Sequence, residues 1–159
     1  MLVAKRSQDW LEGRLTTIWA QHFPDVPIVN PVHVRFVREG RRRLGWIAMS
    51  ESRASTIIGI NRLLALPDVP QYLCDVTIAH ELAHYAHGFG SPLPQCYDDP
   101  HANGVVEAEL QRRGLGSWLD AADAWAAENL AILASARGIS RRRPARQPDT
   151  LVASDVQGR

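Results

Sequence analysis

Apolar residues recur at helical spacing over residues 7–22, where Trp10, Leu11, Leu15, Ile18 and Trp19 fall on one face. Pro24 and Pro27 end that helix. The run VHVRFV (residues 32–37) alternates apolar and polar positions, the period of a half-buried strand. Two β-prone runs, GWIAMS (45–50) and STIIGI (55–60), are separated only by ESRA, which predicts an antiparallel meander of about three strands. Asn61 is placed to cap the short helical turn RLLAL, which Pro67 stops.

Residues 71–87 contain neither Gly nor Pro, and Gly88 follows where a helix C-terminus is expected. Residues 88–100 hold three prolines and two glycines and read as a loop. A further helix is predicted over about residues 104–113, ended by Gly114. The last starts at Ser117, with Asp120 three residues on as a variant capping box, and runs to Gly138. The pattern is that of an α+β domain over residues 1–138, followed by a basic tail, 139–159, that is too polar to build a core and is expected to be disordered.

Composition changes this picture little. The chain of 159 residues suits one domain, and its net charge of +1 selects no partner. The charge is uneven, however: residues 137–159 carry six Arg against two Asp. That tail, with REGRRR at 38–43, could bind DNA without sequence preference, although most such runs are simply solvated. Two cysteines, Cys74 and Cys96, are too few for a disulfide scaffold and fit a reducing compartment. Nowhere do 18 apolar residues run together and no signal peptide is evident, so a soluble cytoplasmic protein is expected.

The chemistry concentrates in TIAHELAHYAHGFG (77–90). On a helix, His80 and His84 lie about 40° apart around the axis and roughly 6 Å apart along it, so both imidazoles can reach one ion. Glu81 stands to the side, where its carboxylate reaches a metal-activated water without being a ligand. Ile78, Leu82 and Tyr85 occupy the opposite face, which predicts a core side and a cleft side for this helix.

A catalytic zinc site needs a third protein ligand. His87 shares the face of the pair but lies about 10 Å along the axis from His80, too far for a straight helix to present all three. The metzincin arrangement, with Gly before the last His, is not met, since position 87 is His and position 90 is Gly. His87 is therefore read as a rim residue. His101, beyond the loop, can be carried back to the ion; Glu107 and Glu109 on the following helix are the other options.

In this order of segments the chain resembles the SprT-like (Spartan-related) zinc metallopeptidases. The resemblance runs over about residues 10–116. It takes in FPDVPIV, VHVRFV, GWIAMS, STIIGINRLLALP, IAHELAHYAHG and DPHANGVVEAELQRRGLG. It implies a zincin-like domain with Zn²⁺ on His80, His84 and His101, Glu81 as general base, and a protein or peptide substrate, in some relatives one attached to DNA. Two departures stand at the third ligand: Ala102 replaces a Gly and Val105 an aromatic residue. The C-terminal zinc ribbon of many relatives is missing. An ImmA/IrrE-like or minigluzincin-type site would instead use Glu107, and a zinc-stabilised binding module without turnover would need no base at all.

Overall fold

The structure, a computed structural model, describes residues 4–38, 43–136 and 155–156, with 130–136 and 155–156 as backbone only. Most of the basic stretches at 38–43 and 139–159 therefore lies outside the described residues, as does the expected disorder of the tail.

Helix α1 (Gln8–His22) begins where Ser7 accepts a hydrogen bond from the Trp10 N–H, and it buries Leu11, Leu15, Ile18 and Trp19. The periodic face read from sequence is thus the core face. Strands β1 (Val32–Val37), β2 (Gly45–Met49) and β3 (Thr56–Asn61) form a mixed sheet in the order β1-β3-β2. The two-residue β4 (Asp155–Val156) adds to the outer edge of β2, paired with Trp46 and Ile47.

The expected antiparallel meander is corrected by this order. β3 pairs antiparallel with β2 but parallel with β1, and it occupies the centre. The reason is burial: Thr56, Ile58, Gly59, Ile60 and Asn61 are all buried, whereas β1 keeps His33 and Arg35 exposed. A strand covered on both faces belongs inside a sheet, and a strand with a wet face belongs at its edge. The β1 edge is also closed off locally, because Gln8 of α1 donates to the Val34 carbonyl at 2.6 Å.

Asn61 ends β3 and directs the chain on either side of it. Its Oδ1 accepts from the Leu63 N–H at 3.0 Å, capping the 3-10 turn Arg62–Ala65 as the sequence predicts. Its Nδ2 donates to the Arg43 carbonyl at 2.8 Å and its N–H to the Leu44 carbonyl at 2.7 Å. One buried residue therefore fixes both the exit of β3 and the approach to β2.

Helix α2 (Gln71–Ala86) runs through the middle of the molecule, packed by α1, β2, β3 and two later helices, α3 (Val105–Arg112) and α4 (Gly116–Ala136). It stops at His87, with Gly88 in the left-handed region at φ +83°. α4 starts one residue before the predicted capping box: the Leu119 N–H bonds the Leu115 carbonyl, which places Ser117 inside the first turn. Among the described residues no helix is long and apolar enough to cross a membrane. Cys74 is buried, Cys96 is exposed, and they are not bonded to each other.

Candidate metal centre

Every α2 residue from Leu73 to Tyr85 is buried, so the helix has no open face. The expectation of a core side and a cleft side is corrected on this point. His80 is 2% exposed, and Glu81 and His84 are fully buried. The sheet covers the polar side: β2 crosses it at Gly45, and the loop after α2 folds back so that Phe89 faces His84 at 6.4 Å between ring centroids.

His101 arrives from the far side of that loop. The Asp99 carboxylate accepts its backbone N–H at 2.8 Å, fixing the turn. The chain then swings into α3 through two left-handed residues, Asn103 at φ +51° and Gly104 at φ +68°. Ala102 is not one of them, so its lack of glycine freedom costs nothing. Asn and Gly are the residue types that tolerate this conformation.

The outcome is a cluster of three imidazoles. Ring centroids are 4.8 Å apart for His80 and His84, 4.7 Å for His84 and His101, and 5.7 Å for His80 and His101. One ligand nitrogen from each lies within 4.8 Å of the other two, so His80, His84 and His101 are close enough together to hold a metal ion. A tetrahedral zinc with nitrogens at 2.0–2.1 Å spaces them by about 3.4 Å, within reach of small side-chain rotations.

The donor set fits such an ion chemically. The enclosed Nε2 of His101 has no hydrogen-bond partner among the described residues, a condition that buried polar atoms seldom tolerate. Burial, and then the neighbouring His84 and His101, push His80 well below its ordinary pKa of 6.5. The imidazole is thereby kept neutral, the form that offers a lone pair to a metal.

Three other sequence candidates sit elsewhere. His87 is not a rim residue: it is 4% exposed, and its Nε2 lies 2.8 Å from Glu109 Oε1. Glu109 also receives Arg112 at 2.9 Å and Arg113 at 3.0 Å, and Arg113 reaches Asp25 at 2.6 Å. Glu109 thus belongs to an ion-pair network that ties α2, α3 and the end of α1, and it does not join the histidines. Glu107 is not part of the three-histidine group either. Tyr97 packs its ring on His87 at 5.0 Å.

Sequence reasoning missed the neighbours of Glu81. An ideal Cβ on Gly45 would stand 2.9 Å from Glu81 Oε1 and 2.8 Å from Thr77 Cγ2. The contact pairs a strand with a distant helix, and no local pattern announces it.

No family model, no curated protein and no solved structure matches the chain.

Proposed function

We propose that this protein is a zinc-dependent peptidase of the SprT-like kind, with zinc on His80, His84 and His101 and Glu81 as general base. The observation that carries the reading is the placement of a buried carboxylate, Glu81, one residue after the first histidine of a three-histidine cluster. Zinc in such a site supplies Lewis-acid polarisation of a water and of the substrate carbonyl. The Glu81 carboxylate takes a proton from the attacking water as the C–O bond forms. It then delivers that proton to the amide nitrogen as the C–N bond breaks. Burial strengthens each of these interactions by excluding competing water.

The third-ligand alternative, Glu107, has no geometric support, because the cluster is completed by His101. An extended peptide finds no open edge at β3, which is central, and the outer edge of β2 already carries β4 at Trp46 and Ile47. Action on DNA-bound substrates rests on the basic stretches of the sequence alone.

The test is cleavage of casein and of a quenched peptide library by purified protein. Activity should vanish on chelation and return with stoichiometric Zn²⁺. Zinc-loaded protein that leaves every peptide intact would sink the peptidase reading.

A further inference from the structure

We propose that Gly45 is a positioning residue for Glu81: the Cβ-less start of β2 forms the wall that sets where the Glu81 carboxylate lies. The inference rests on the peptidase reading for its kinetic meaning, but its geometry stands apart from it.

The wall has no slack. A Cβ at position 45 would meet Glu81 Oε1 at 2.9 Å, Thr77 Cγ2 at 2.8 Å and the Gly59 carbonyl oxygen at 3.2 Å. Real Cβ atoms essentially never approach below 3.0 Å. Something must therefore move, and three of the four possible movements are blocked. The strand cannot retreat, because Asn61 holds the two carbonyls immediately before Gly45, those of Arg43 and Leu44. Gly59 cannot retreat, because it lies in the central strand under the Trp46 ring. The Thr77 methyl cannot rotate away, because its hydroxyl donates to the Leu73 carbonyl at 2.7 Å inside the core. Among the atoms met, Glu81 Oε1 alone is the far end of a long, flexible side chain, so the carboxylate is the group that gives way at the contact.

A general base displaced by about 1 Å can lose on the order of 100-fold in rate. β2 is itself clamped from its other end. Gly90, at φ +68°, packs against Ile47 and Ala48, and its carbonyl accepts the Thr56 hydroxyl at 2.7 Å. Asn61, Gly45 and Gly90 thus register the strand against the helix that carries the base.

The experiment compares wild type, Gly45→Ala, Thr77→Ser, the double variant and Glu81→Gln. It reads zinc affinity by chelator competition, affinity of the zinc-loaded protein for acetohydroxamate, and peptide cleavage. Acetohydroxamate chelates the metal and donates a hydrogen bond to a carboxylate beside it, so the part of its affinity lost in Glu81→Gln reports that carboxylate without turnover. Gly45→Ala should keep zinc affinity within about threefold, weaken acetohydroxamate as much as Glu81→Gln does, and lower kcat by about 100-fold with KM nearly unchanged. Thr77→Ser alone should resemble wild type. Paired with Gly45→Ala it removes the Cγ2 contact, lets the new methyl shift, and should restore part of both readouts.

Wild-type kcat and acetohydroxamate affinity in Gly45→Ala would overturn the proposal. So would joint loss of zinc, fold and activity that Thr77→Ser does not relieve. If wild type cleaves nothing, the peptidase reading fails, while the acetohydroxamate comparison still decides the role of Gly45.

Discussion

The His84 and His101 rings stand 4.7 Å apart at 86° to each other, although one belongs to a buried helix and the other to the end of a surface loop. Such an approach of two polar rings is maintained by what holds the loop: the Asp99 carboxylate on the His101 N–H and the left-handed pair Asn103–Gly104. His101→Ala should therefore remove a ligand rather than a neighbour. Loss of a residue that merely supports a ligand costs about 10–100-fold in metal affinity, so loss of a ligand should cost at least about 100-fold. Glu107→Ala should stay within about twofold of wild type. Calorimetric zinc titration of both variants checks this, and the reverse ranking would move the third ligand to Glu107.

Glu81→Gln keeps the shape of the side chain and removes its basicity. It should lower kcat by about 100- to 10,000-fold while zinc affinity stays within about threefold. Steady-state kinetics beside metal analysis tests both halves. Full activity in this variant would mean that another group accepts the proton. Loss of zinc would make Glu81 a ligand.

The parts of the site legible in the sequence were those fixed by one helix. His80, Glu81 and His84 are placed by helical periodicity, which holds wherever the helix goes. His101 was a candidate from its place beyond the loop, beside Glu107 and Glu109, and it is brought to the cluster by loop geometry that no periodicity encodes. The sheet order was misread because strand alternation reports faces and not neighbours. The nearly unbroken apolar run TIIGI, buried on both faces, was the available sign that β3 is central. The pairing of His87 with Glu109, like the Gly45–Glu81 contact, depends on how two elements pack and had no local signature.

The Glu109 network gives a pH dependence of definite sign. Burial raises the Glu109 carboxyl, but hydrogen bonds from His87 and Arg112 and the charges of Arg113 and Arg112 outweigh it and hold the group below its ordinary 4.5. Asp25 is likewise held below its ordinary 3.8, chiefly by hydrogen bonds from Arg113. The unfolded chain thus takes up these protons at higher pH than the folded one. The contribution to stability is complete above the ordinary values and is lost as pH falls through the lowered folded ones. Glu109→Gln should be less stable than wild type at neutral pH, and the gap in Tm should close as pH falls below about 4.5. Thermal melts of chelator-treated protein across acidic pH measure this. A gap that stays constant with pH would show that the carboxylate charge is not what stabilises the network.

Arg14 supplies the last test, one of stability away from the metal centre. Its guanidinium joins the buried Asp75 carboxylate through two bonds, 2.8 and 2.9 Å, and thereby ties α1 to the first half of α2. Asp75 is 3% exposed, and Gln71 gives it one further hydrogen bond at 3.2 Å. Breaking a buried pair from one side leaves an uncompensated charge, at a cost of about 3–5 kcal/mol. Arg14→Met should fall at the lower end, because Gln71 remains and Arg14 itself is only partly buried. About 3 kcal/mol corresponds to a fall in Tm of about 10 °C for a domain of this size. Replacing both partners, Arg14→Met with Asp75→Leu, removes the stranded charge and should recover most of the loss. Zinc affinity should be unchanged in the double variant, since His80 and His84 lie about one and a half and two and a half turns further along α2. A double variant no more stable than Arg14→Met alone would show that the bidentate geometry, and not charge compensation, is what joins these two helices.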